Sequence, residues 1–193
     1  EITVRDWSSD VCSSDLAAID GVKETSSYAL YVNAATKPDG SQKPTATSLV
    51  IDPATYSRGY DIRVTSGSLR DLDATHVAVN KTENLKMGDK VTLAGPNGSV
   101  EATVGAIVDP KGIGGTYFYS PEVAAAVGSW TSPGTSTDPD HVLDAPLGML
   151  LTLEDGANLD TVRHKAEDIV ADTYQYSVND ANQLSDKIGR AHV

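Results

Sequence analysis

Cysteine occurs once in the 193 residues, as Cys12, and phenylalanine once, as Phe118. A single cysteine excludes an internal disulfide and a cysteine-type zinc site. Long apolar runs are missing as well. The longest clusters are short, such as "VAAAV" at 123–127, far from the ~20 residues that cross a bilayer. Positive charge is scarce, with 15 Lys and Arg against 27 Asp and Glu and a net charge of −12. Nucleic-acid binding needs cations to displace phosphate counterions, so that class is excluded. No Lys/Arg cluster suits an anionic membrane surface either.

The stretch around the cysteine has an origin of its own. "DVCSSDL" (10–16) can be encoded GAC GTG TGC TCT TCC GAT CTT. The reverse complement, AAG ATC GGA AGA GCA CAC GTC, encodes "KIGRAHV", residues 187–193. No folding constraint makes two heptapeptides obey that relation. The string also resembles a sequencing-library adapter, with its extension "DWSS" at 6–9. Residues 1–16 and 187–193 are therefore expected to be adapter-derived and are set apart from the fold, as scars are. Their removal is expected to leave the melting temperature nearly unchanged. They carry four acidic and three basic residues, so 17–186 keeps 23 and 12, and no cysteine. That removes thiolate chemistry too, while fitting any compartment. The 170 remaining residues suffice for a sizeable core.

What is present reads as a mixed domain with more strand than helix. "AAIDGVKE" (17–24) looks like the tail of a helix stopped by Gly21. "SSYALYVNA" (26–34) and "TATSLVID" (45–52) alternate as strands around a Pro38-Asp39-Gly40 turn, which predicts a hairpin. "PATYSRG" (53–59) is a short helix or loop, and "YDIRVTSG" (60–67) and "DATHVAVNK" (73–81) are strand-like. Residues 87–110 predict a second hairpin about "GPNG" (95–98). "PEVAAAVG" (121–128) is a short helix, and 129–146 is a polar loop. The close is β-α-β: "GMLLTLED" (148–155), an amphipathic helix at 158–173, and "YQYSVND" (174–180). Leu159, Val162, Ala166, Ile169 and Val170 share one helix face. Such a unit implies parallel strands. The fold class is α+β: an α/β core lobe with a terminal β-α-β unit, plus an inserted β-rich lobe.

The candidate chemistry is thin. Asp138, Asp140, His141 and Asp144 lie within "DPDHVLD", but their spacing does not match an EF-hand, and the stretch reads as a solvated loop. "GIGG" (112–115) lacks the Lys-Ser/Thr of a P-loop and reads as a flexible turn. His76 and His164 have no nucleophile at a recognisable spacing, and no Gly-x-Ser-x-Gly elbow occurs. "NKT" (80–82) and "NGS" (97–99) match glycosylation sequons that recur by chance. Tyr28, Tyr31, Tyr56, Tyr60, Tyr117, Phe118 and Tyr119 read as core or strand-pair residues rather than a sugar platform. No catalytic, cofactor-binding or metal residue is assigned, and the chain is expected not to be an enzyme.

The order of segments carries a resemblance. "GSLRDLDATHVAVNK", then "LKMGDKVTL", then "GSVEATVGAIVD" resemble the extracytoplasmic, or periplasmic core, domain of FtsX/MacB-type ABC transporter permeases. Gly67, Leu69 and Leu72 supply the first element of that pattern, Val77 and Val79 the second. Met87-Gly88-Asp89 and Val104-Gly105-Ala106-Ile107 supply the last two. The closing β-α-β resembles the family's final unit. The family's helix after Asn80 is short here, and 129–146 has no counterpart.

The resemblance implies a non-catalytic bacterial domain on the outer side of the cell membrane. It would couple ATP-driven membrane-helix motion to substrate export or partner regulation. Implied partners are a cytoplasmic ATPase subunit, a second permease copy, an exported peptide or lipid, or a cell-wall hydrolase. Residues 17–86 would form the first part of the core lobe, 87–146 the inserted lobe and polar loop, and 147–186 the rest of the core. Hinging would concentrate at Gly67 and Gly112–Gly115. The alternatives are a free secreted module binding peptide or carbohydrate through the tyrosines, and a hydrolase built on scattered carboxylates. A hydrolase would need a pocket holding a carboxyl of raised pKa beside a second acid.

Overall fold

The computed structural model describes residues 2–5, 13–60, 62–110, 114–131, 136–144, 146–171 and 177–180. In chain order the elements are β1 (Ile2–Arg5), α1 (Ser13–Ala17), β2 (Val22–Thr36), β3 (Gln42–Ile51), α2 (Tyr56–Gly59), β4 (Arg63–Gly67) and β5 (His76–Asn80). There follow β6 (Lys90–Gly95), β7 (Gly98–Asp109), β8 (Tyr117–Tyr119), α3 (Pro121–Val127), β9 (Gly148–Leu153), α4 (Leu159–Val170) and β10 (Ser177–Asp180). The mixed α+β class is as expected.

These elements form two compact units. One comprises the described residues within Glu1–Tyr28, Thr55–Asp61 and Ala145–Val193, the other those within Ala29–Ala54 and Ile62–Asp144. The segment expected as an insertion from 87 falls, as far as Asp144, in the second unit with 29–54 and 62–86.

In the first unit, residues 22–28 of β2 pair antiparallel with β9, β9 with β1, and β1 with β10. Since β9 and β10 both run against β1, they are parallel to each other, as the β-α-β pattern requires, with β1 seated between them. Asn158 caps α4 by accepting from the Thr161 N–H at 2.9 Å. The helix buries Val162, Ala166 and Val170 with Leu16, Ile19, Met149 and Leu151.

Of residues 1–16, Ile2–Arg5 form a paired strand and Leu16 is fully buried, so these described residues are part of the fold. The helix whose tail was expected before Gly21 ends at Ala17, Gly21 turns the chain at φ +93°, and Val22 enters the sheet opposite Leu153. A second cluster joins Tyr28, Tyr56 and Tyr60, with ring centroids 6.5 and 5.9 Å apart along the series.

The second unit closes on itself. β2 neighbours β3, β3 runs parallel to β8, β8 antiparallel to β5, and β5 parallel to β7. The hairpin partner β6 then bridges β7 and residues 34–36 of β2. The result is a six-stranded ring, with β4 added alongside the far end of β7. Closure gives each of the six strands a neighbouring strand on both sides. Val50, Val77, Val79, Val91, Leu93, Val104, Tyr117 and Tyr119 share its core with Val123, Ala124 and Val127 of α3. Both expected hairpins form. The first turns at Gly40 (φ +81°) with Ser41 N–H donating to Asp39 Oδ1 at 2.9 Å, and the second pairs Gly95 with Gly98.

Candidate functional site

The polar side chains that the sequence singled out are held in local turns. His141 Nδ1 lies 2.7 Å from Asp144 Oδ2, and Asp138 Oδ1 accepts from the Asp140 N–H at 3.1 Å. Hydrogen bonding to Asp144 and the charges around it raise the His141 pKa. Among the described residues no group of three or more His, Cys, Asp or Glu is placed to hold a metal ion. His76 Nδ1 sits 3.0 Å from Asp73 Oδ1 at the entry to β5, and His164 Nδ1 lies 2.6 Å from the Asp160 carbonyl one helical turn back.

Both sequon asparagines spend the nitrogen a glycan would need. Asn97 Nδ2 donates to the Ala125 carbonyl at 3.0 Å, and Asn80 Nδ2 reaches the Gly115 carbonyl at 3.4 Å. Of "GIGG", Gly112 and Ile113 lie outside the described residues. Gly115 is packed, since a Cβ there would come within 2.8 Å of the Thr47 carbonyl oxygen. Gly67, the other expected hinge, is locked between neighbours: a Cβ on it would lie 2.0 Å from the Gly105 carbonyl oxygen.

The tyrosines are interior. Tyr28, Tyr31, Tyr56, Tyr60, Tyr117, Phe118 and Tyr119 are all buried, so they present no sugar platform. Trp130, by contrast, is 50% exposed on a segment pinned to β2. Its N–H donates to the Val32 carbonyl, and the Ser129 hydroxyl accepts from the Val32 N–H, both at 3.0 Å.

Two polar constellations were not anticipated. Inside the ring, fully buried Asn33 accepts from Ser48 Oγ at 2.9 Å and from Tyr119 Oη at 3.2 Å, while its Nδ2 donates to the Ala34 carbonyl. Its signal was in the sequence: Asn33 falls on the same strand phase as Ala29, Tyr31 and Ala35, a polar residue among apolar ones. At the ring's surface, Glu83 receives Lys37 at 2.9 Å and Lys43 at 2.7 Å. Burial alone would raise the Glu83 carboxyl, but the hydrogen bonds and charges of the two lysines hold it below the usual range. Burial, and then the Glu83 charge, push the Tyr117 phenol up to about 12.

Every described carboxyl with a clearly displaced pKa, namely Asp39, Asp73 and Glu83, is displaced downward. A hydrolytic acid needs displacement in the opposite direction. A depression of about 290 Å³ at the start of α4 is lined by Asp20, Glu154, Asp155 and Asn158 among others. No described helix is long and apolar enough to cross a membrane.

No protein-family model matches the sequence, and neither does any curated protein. Solved structures do match in fold. One is the periplasmic region of MacB from Actinobacillus actinomycetemcomitans, with a TM-score of 0.60 and 9% identity, covering 99% of this chain and 91% of that one. Another is a domain assigned as a permease protein from Porphyromonas gingivalis, with a TM-score of 0.59 and 12% identity, over 94% and 89% of the two chains. A third is the extracellular domain of the noncanonic ABC-type transporter YknZ from Gram-positive bacteria, with a TM-score of 0.55 and 15% identity, over 93% and 99%. The chain has the fold of these extracytoplasmic transporter domains.

Proposed function

We propose that the protein is the non-catalytic extracytoplasmic domain of a bacterial ABC transporter permease. The observation that carries this reading is the breadth of the fold likeness, which spans 93–99% of this chain and 89–99% of three such domains. In this role the domain converts membrane-helix motion, driven by a cytoplasmic ATPase subunit, into substrate export or partner regulation outside the membrane. Its outer partners are a second permease copy, an exported peptide or lipid, or a cell-wall hydrolase. The acidic surface and the downward-displaced carboxyls agree with a mechanical role better than with hydrolysis.

Reading the uninterrupted gene outward past residues 17 and 186 tests the proposal. A run of ~20 apolar residues on each side is expected. Soluble flanks behind a cleavable signal peptide would replace the permease with a secreted binding module.

A further inference from the structure

The turn of the β6–β7 hairpin does more than reverse the chain. A helix C-terminus leaves carbonyls without intrahelical partners, and at α3 the hairpin turn supplies them. The Asn97 Nδ2 donates to the Ala125 carbonyl and the Asn97 backbone N–H to the Val127 carbonyl, both at 3.0 Å. The amide lies so close to Gly128 that a Cβ there would come within 2.8 Å of Asn97 Cγ. One residue of the hairpin thus caps a helix that belongs to a later element.

That same residue is chemically labile. Asn97 is the only asparagine in the chain followed by glycine, and both residues are exposed. Gly98 has no Cβ to obstruct its backbone nitrogen. We propose that Asn97–Gly98 is a site of spontaneous deamidation, and that the conversion uncaps α3. The Gly98 nitrogen attacks Asn97 Cγ, forming an N–Cγ bond as the Cγ–Nδ2 bond breaks. Ammonia leaves with the proton that the Gly98 N–H gives up. Water then opens the cyclic imide at either carbonyl, leaving aspartate or isoaspartate at 97. Nothing is oxidised or reduced.

The product inverts the chemistry of the cap. A carboxylate accepts hydrogen bonds but donates none, so an oxygen would face the Ala125 carbonyl where Nδ2 stood. Its charge also lies at the negative end of α3, where anions are disfavoured. Isoaspartate adds a backbone atom between 97 and 98 and so reshapes the turn as well. α3 buries Val123, Ala124 and Val127 in the ring core. Just beyond it, the Gly128 N–H holds the Ala124 carbonyl and the Trp130 N–H holds that of Val32. Loosening at 97 is therefore felt at Gly128 and Trp130. The chemistry is the same whether or not the domain belongs to a permease.

Two measurements decide it. The full chain is held at mildly alkaline pH and sampled over weeks, and peptide mapping locates every amide converted to acid. Conversion at Asn97 should run several-fold faster than at any other asparagine, with isoaspartate among the products. If another asparagine converts as fast, or Asn97 keeps its amide, the site is overturned. For the cap, Asn97→Ala removes the donor without adding charge, and Asn97→Asp reproduces one product directly. Hydrogen exchange at the Gly128 and Trp130 amides should quicken about 5–30-fold in Asn97→Ala, and further in Asn97→Asp. The aged parent chain gives the same readout without any substitution. Exchange unchanged in both the aged chain and Asn97→Asp would mean that α3 keeps its cap, and the uncapping fails.

Discussion

At Gly67 the backbone stands at φ +72° with the Gly105 carbonyl oxygen where a Cβ would be. Gly95 meets the Val127 carbonyl oxygen almost as closely, at 2.3 Å. The family pattern that includes Gly67 also includes Gly88 and Gly105. Gly88 has the positive φ but open space around it, and Gly105 has neither a positive φ nor a backbone obstacle, only the His76 side chain 3.2 Å away. Alanine at Gly67 or Gly95 should therefore cost more than at Gly88, where only the ~1–2 kcal/mol of left-handed strain applies, and least at Gly105. Urea titrations of the four variants check that order. Asn33→Ala is the sharpest side-chain test in the ring. It leaves the Ser48 and Tyr119 hydroxyls without their shared acceptor and should destabilise by about 2–4 kcal/mol. A midpoint within error of the parent would mean that water replaces the amide.

Strands and helices were legible where one period dominated. The apolar stripe Leu159–Val170 predicted α4, and "GPNG" between alternating arms predicted the β6–β7 hairpin. Asn158→Ala should remove the α4 cap and cost about 1 kcal/mol, read as a lowered thermal midpoint. β2 shows where periodicity stops informing. Its buried phase is even at Ser26 and Tyr28 and odd from Ala29 through Ala35. A one-residue slip exchanges the faces of a strand, so a single alternation fitted to 26–34 cannot describe both halves. The start of β2 at Val22 was hidden too, because its pairing with β9 is long-range and leaves no local pattern.

At the scale of the molecule, ring closure depends on β6 reaching β2 across more than fifty residues of sequence, and no local pattern records such a pairing. The codon relation between 10–16 and 187–193 gave no sign that Leu16 would be buried, because that burial follows from the cluster it meets. Charge gives a further prediction. Glu83 sits below the usual carboxylate range through Lys43 and Lys37, and Asp73 falls to about 2 through hydrogen bonds from Thr75 and His76. A depressed carboxyl contributes stability above its unfolded pKa and loses it as pH falls through the folded value. The melting temperature should drop between about pH 5 and pH 2, with a shallower slope in Glu83→Gln. An identical acid limb in that variant would show that the two lysines add nothing.

Trp130 stands half in water while its backbone is fastened to β2, and the only other tryptophan, Trp7, lies outside the described residues. With Trp7→Phe in place, the protein holds a single indole that emits from a wet, anchored position. Contact with that loop by a peptide, a lipid or another protein would shift the emission to the blue and shield it from acrylamide. The molecule thus carries its own fluorescent reporter at a site fixed to the ring.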